Sequence, residues 1–362
     1  MQDLHSATDN FVAVISDPVS SNEEVNAALQ PCFALLANSS EADINAFMKR
    51  LMSLYNLPDI ERGTIALTVC GYLVENGFPS KAAFDKFIDI YEERLDKAAP
   101  FFQALTYHIN KIKVEGEDRD QEINRIYSEL INDQELVDSE MYTAIISLDK
   151  FYTCGISLFS INRENFETAK SRLAEKVTQV SFFSQGCYWI SKLFTVLFDE
   201  PVTIIDIDQM IGFEGRINGV VDNYQLQHLL MGIPILNGGE SAISAENLAI
   251  ANGTGPQTSD NSIESKWNLY SIHLCTQPDW KSLINNKENP AQSIAFKDSW
   301  IWSEGAPEDI PAYRNRRIIL LGSPAYSRSS RAQRTFKNLK ASIEIDKVLT
   351  EEEIGQWLNP SF

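Results

Sequence analysis

Four stretches of this 362-residue chain carry residue types that do chemistry. The first is Gln185-Gly186-Cys187-Tyr188-Trp189. If a helix opens there, its dipole lowers the pKa of the Cys187 thiol, and Gln185 or free backbone amides can hold an oxyanion. His228 or His273 is then the candidate base, with Asp222 to orient it. The opposing reading is a small buried cysteine in an apolar helix that also carries Leu193 and Phe194.

The second stretch is Asp206-Ile207-Asp208. On a strand the two carboxylates share a face, where a metal could bridge them and His228 could add a nitrogen. The alternative is a solvent-facing pair or a turn built on the carboxylates. No HExxH motif, EF-hand loop or paired Cys/His cluster accompanies them, so neither a metal nor any other cofactor is expected.

The third stretch is Asp298-Ser299-Trp300-Ile301-Trp302-Ser303-Glu304. As a strand it places Asp298, Trp300, Trp302 and Glu304 on one face. Two indoles framed by carboxylates suit a sugar, a cationic group or a partner's surface; core filling is the alternative.

The fourth is basic. Between Ile310 and Ile343 lie eight Lys or Arg residues and no Asp or Glu, in a chain of net charge −19. A short helix from about Ser329 to Lys340 would crowd Arg328 and Arg331 at its positive end, with Arg334 following. Such a cluster is comfortable beside a negative group, either the chain's own carboxylates or an external anion. Arg328, Arg331 and Arg334 are therefore candidate binding residues.

The elements that must position these residues divide the chain. Residues 1–198 read as consecutive amphipathic helices joined by short connections, an all-helical bundle of hairpins. Pro31 is expected to kink one helix, Pro100 to open another, and the charged run 115–120 to form a loop. From residue 199 the pattern turns α+β. A hairpin is expected over 202–220, and further strands over 266–274, 299–303, 317–321 and 342–346, in a small, mostly antiparallel sheet. Thr350-Glu351-Glu352-Glu353 reads as a capping box opening a last helix. The Gly/Asn/Ser-rich stretch 232–265 reads as a long loop.

Charge and composition narrow the classes of function. With a pI near 4.7, the chain as a whole repels nucleic acid and anionic lipid, and no apolar run is long enough to span a bilayer. The N-terminus lacks the basic lead of a signal peptide. Five scattered cysteines with no CxxC pair fit free thiols in a reducing cytoplasm. The expectation is a cytoplasmic protein-binding or adaptor protein without chemistry of its own, whose acidic body engages a basic partner, as an immunity protein engages a toxin. The alternatives are a hydrolase or transferase using Asp206, Asp208, His228, Trp300 and Glu304, and a small-anion binder using the three arginines.

Overall fold

The computed structural model describes residues 3–276, 280, 299–324 and 327–359. Two compact units follow each other along the chain, Met1–Phe194 and Thr195–Phe362. The architecture is α+β: helices make up the first unit, and the second combines a mixed sheet, a small antiparallel sheet and short helices.

The first unit contains α1 (Leu4–Ser16), α2 (Asn22–Leu36), α3 (Glu41–Met52), α4 (Ile60–Glu75), α5 (Lys81–Ile109), α6 (Glu117–Ile131), α7 (Ser139–Ser160), α8 (Arg163–Val180) and α9 (Gln185–Phe194). Side-chain caps begin most of them. Asp3, Ser21, Ser40, Asp59, Asp138 and Asn162 each accept a bond from an amide of the first turn. Helix α7 lies at the centre, packed on α4, α5 and α9.

Pro31 lies inside α2, which runs on past it to Leu36. The Pro100 expectation needs correcting. Pro100 lies inside α5 and opens no new helix, because the buried stripe Tyr91, Leu95, Ala98 continues through Phe101, Phe102, Leu105 and Ile109. Burial of that stripe outweighs the hydrogen bond a proline removes. The run 115–120 is likewise not all loop: α6 starts at Glu117, and its acidic first turn complements the helix dipole.

In the second unit β1 (Glu200–Asp206) and β2 (Ile211–Asn218) form the expected hairpin. The remaining elements are α10 (Asn223–Met231), α11 (Ala245–Asn252), β3 (Thr258–Glu264), β4 (Asn268–Ser271), β5 (Ala312–Tyr313), β6 (Arg316–Gly322), β7 (Ser329–Gln333), β8 (Ser342–Val348) and α12 (Glu351–Leu358). The large sheet has the order β4-β6-β1-β2-β8, with β5 added to β6; β3 and β7 form the small sheet. Strand β6 runs parallel to β1, and the other described pairings are antiparallel.

Alternation along the central strands sorts the core. Val202, Ile204, Ile319 and Leu321 pack toward α10 and α11, while Ile205, Ile318 and Leu320 pack toward α12. Stretch 232–265 is no structureless loop. It holds a 3-10 turn (Pro234–Asn237), α11 and β3, and its polar residues act as caps: Ser244 accepts from the Asn247 amide, and Gly253 closes α11 at φ 88°.

Candidate functional site

The structure takes the sequence candidates apart one by one. Cys187 lies in the first turn of α9, fully buried, with its sulfur 3.6 Å from the Tyr91 hydroxyl. Burial pushes its thiol up to about 11, the reverse of nucleophile activation. The amides expected to hold an oxyanion are engaged: Gly186 N–H donates to Asp149 Oδ1 at 2.8 Å and Cys187 N–H to Ser184 Oγ at 3.1 Å. A Cβ on Gly186 would meet the Leu148 carbonyl oxygen at 2.1 Å, so the glycine lets α9 lie flush on α7. Sequence proximity of Gly186 and Cys187 is thus packing.

Asp206 ends β1, and Asp208 follows in the turn to β2, so the pair is not a strand face. Asp206 is buried and accepts four bonds: from the amides of Asp208 and Gln209, from Gln209 Nε2, and from the Trp267 indole N–H at 3.1 Å. Asp208 accepts from the amide and hydroxyl of Ser323 at the end of β6. These carboxylates staple three strands together. Among the described residues no group of three His, Cys, Asp or Glu side chains is placed to hold a metal.

Asp222 caps α10 through the Gln225 amide at 2.9 Å. His228 sits buried on α10 with Nε2 3.0 Å from Ser330 Oγ, and desolvation holds its pKa down at about 4, so the ring is neutral. His273 lies in the 3-10 segment Ile272–Thr276.

The arginine cluster does not assemble. Residues 329–333 form β7 rather than a helix, so no helix N-terminus gathers Arg328 and Arg331. Alternation turns Arg331 outward and exposed. Arg334 is buried and donates to the carbonyls of Lys337 and Gly255 at 2.8 and 3.0 Å. Arg316 and Arg317 pair with Glu214 and Glu200. Three of the eight basic residues of the island are thus engaged by the fold.

The tryptophan stretch fares differently. Asp298 lies outside the described residues. Residues 299–303 are no full strand; a single bridge joins Trp300 to Tyr270 of β4. Trp300 is 8% exposed and meets the Tyr270 ring edge-on at 5.5 Å, while Trp302 is 59% exposed with its ring 6.3 Å from that of Trp300. The Arg328 guanidinium lies 5.2 Å from the Trp300 ring centroid and donates to Asn268 Oδ1 at 2.7 Å. Glu304 accepts from the Tyr224 hydroxyl at 2.9 Å.

A cavity of about 330 Å³ adjoins these residues, with Asn223, Ser271, Trp300, Trp302, Gly305 and Asp309 in its wall. Its rim is the chain from Trp302 to Pro311, held in shape from α10 and from within. Asn223 N–H and Nδ2 donate to the carbonyls of Gly305 and Trp302, and Asp309 Oδ2 accepts from the Ala306 amide. Three wall residues each bury a polar atom that has no partner among the described residues: Asn223 Oδ1, Ser271 Oγ and Trp300 Nε1. These atoms are themselves closed to solvent, so the cavity reaches their residues without reaching them, and the exposed Trp302 indole is the open surface beside it.

No family model, curated protein or solved structure matches this chain. The cavity itself must therefore carry the functional reading. Sequence reasoning reached Trp300 and Trp302 but missed Asn223 and Ser271. Ser271 left no signal of its own, because β4 is buried on both faces and its parity singles out no side chain.

Proposed function

We propose that the protein works by recognition, without chemistry of its own, and that the cavity beside Trp300 and Trp302 is where it takes its ligand. The observation that supports this is the exposed Trp302 indole beside a cavity of about 330 Å³. Among the described residues no activated nucleophile stands there: Cys187 belongs to the other unit and is a buried thiol, and His228 is neutral and engaged with Ser330.

A thermal-shift panel of neutral, cationic and anionic small molecules, run on the wild type and on Trp302→Ala, tests the reading. A shift seen with the wild type and lost in the variant supports it. Turnover in an activity screen that disappears in Asp208→Asn or His228→Ala would replace it with the hydrolase or transferase alternative.

A second reading rests on charge. Between Glu115 and Glu140, spanning α6, ten acidic residues face two basic ones, and all the acidic residues but Glu122 are exposed. That face suits a basic protein partner, the immunity-type role. Capture of such a partner that weakens steeply with salt, and fails when Glu117, Asp118 and Asp120 are changed to Asn or Gln, would support it; salt-independent capture would not.

A further inference from the structure

We infer that the cavity beside Trp302 takes a methylated ammonium group, of the choline or trimethyl-lysine kind; this rests on the recognition reading above and specifies its ligand. Charge comes first. Among the described wall residues Asp309 carries the only charge, and a carboxylate favours a cation. Its Oδ2 accepts from the Ala306 amide at 2.8 Å, and its Oδ1 has no partner among the described residues. Asp309 Oδ2 and the Trp302 carbonyl oxygen lie 3.3 and 3.2 Å from the one point that a Cβ on Gly305 would occupy. The carboxylate is thus held beside the backbone of the exposed tryptophan.

Aromatic surface comes second. Trp300 already serves a cation of the chain itself, the Arg328 guanidinium 5.2 Å from its ring centroid. The Trp302 ring, 6.3 Å from that of Trp300 and tilted by 58°, is mostly exposed, and no described cation lies over it. Glu304 offsets the Arg328 charge, because both lie within electrostatic reach of the Tyr224 hydroxyl, which donates to Glu304.

Hydrogen-bonding capacity comes third and selects the kind of cation. Ile301, Ile310 and Pro311 add apolar wall beside the indoles. The unpartnered atoms of Asn223, Ser271 and Trp300 are closed to a ligand, and the Trp302 and Gly305 carbonyls already accept from Asn223. A primary ammonium would give up the hydration of its N–H groups with little besides Asp309 to replace it. A methylated ammonium makes no such demand and binds through its charge against aromatic faces. At about 330 Å³ the cavity has room for one such headgroup.

The test is calorimetric titration of the full chain with choline and with neohexyl alcohol, the carbon analogue that keeps the shape and lacks the charge. Ethanolamine, methyl glucoside and inorganic phosphate are the controls. Choline binds saturably, and neohexyl alcohol and ethanolamine bind about tenfold more weakly or worse. Trp302→Ala weakens choline about tenfold, Trp302→Phe keeps part of the affinity, and Asp309→Asn costs about fivefold. Asparagine keeps an oxygen for the Ala306 amide, and circular dichroism confirms that each variant is folded. The amide of N-acetyl trimethyl-lysine, run beside choline, separates a peptide source from a free headgroup, the tighter ligand naming the source.

Failure of both methylated cations to bind at about 50 mM, well above the millimolar range of a weak site, overturns the assignment. So does neohexyl alcohol or ethanolamine binding as tightly as choline, or choline binding the wild type, Trp302→Ala and Asp309→Asn equally. Binding of methyl glucoside or phosphate that needs Trp302, without any bound cation, overturns the cation and leaves the recognition reading standing. Chemical conversion of bound choline keeps the cation and removes the recognition reading.

Discussion

The last residue of β1 and the last residue of β4 both bury a polar side chain in the same sheet, and they differ in one respect. Asp206 has four donors on its two oxygens; the Ser271 hydroxyl has no partner among the described residues. The first pattern is what a fold requires, since a buried carboxylate without donors would be costly. The second pattern is what a fold normally avoids. Between these limits lies Arg334, whose terminal guanidinium nitrogens donate to carbonyls from two loops while its Nε has no partner among the described residues.

The largest effect should come from the saturated end. Asp206→Ala removes the acceptor of the Asp208 and Gln209 turn amides and of the buried Trp267 N–H and is expected to cost about 2–4 kcal/mol. Urea unfolding followed by tryptophan fluorescence measures this, because five of the six tryptophans lie beyond residue 260. A loss well under 1 kcal/mol, about the net worth of one ordinary hydrogen bond, would break the comparison from that side.

His228 gives the next effect, through pH. Its folded pKa, about 4, lies below the ordinary 6.5, so the unfolded chain takes up a proton before the folded one. The stability this residue supports is present above pH 6.5 and is lost as pH falls toward 4, by up to roughly 3 kcal/mol. His228→Gln removes that component, so the variant's unfolding midpoint should move less than the wild type's between pH 7 and 4.5. Parallel pH curves would contradict the neutral, desolvated ring.

Smaller again is Trp302→Ala. Its ring is mostly exposed, so unfolding should change by no more than about 0.5 kcal/mol, while ligand affinity drops about tenfold. A variant that loses stability and keeps affinity would make Trp302 a structural residue.

The sequence carried the strongly patterned parts of this fold plainly. The Thr350-to-Glu353 box opens α12 as read, with the Thr350 side chain accepting from the Glu353 amide and Glu353 reaching back. The β1–β2 hairpin followed from its β-branched run. Local signals misled where tertiary contacts decided. Pro100 reads as a helix start, yet the apolar stripe on both sides of it carries α5 through. Ser329–Lys340 has the spacing of a helix, but Ser330 and Ala332 turn inward beneath α10 as strand residues, and Ser330 meets His228 there. The stretch 232–265 looked like loop because caps and turns use the same Gly, Asn and Ser.

At the site, the indoles were visible in the sequence because tryptophan is rare and clustered. Asn223 was hidden behind Asp222, the more familiar helix cap. Ser271 was hidden by its ordinariness, since its missing partner is a property of three dimensions.

The most direct measurement is the ligand-free stability of Ser271→Ala set beside that of Asp206→Ala. If the hydroxyl is unpaired, its removal relieves an unsatisfied buried group, and Ser271→Ala should be as stable as the wild type or up to about 1 kcal/mol more stable. A destabilisation approaching that of Asp206→Ala would show that the hydroxyl already has a structural partner, and the contrast between the two strand ends would fail.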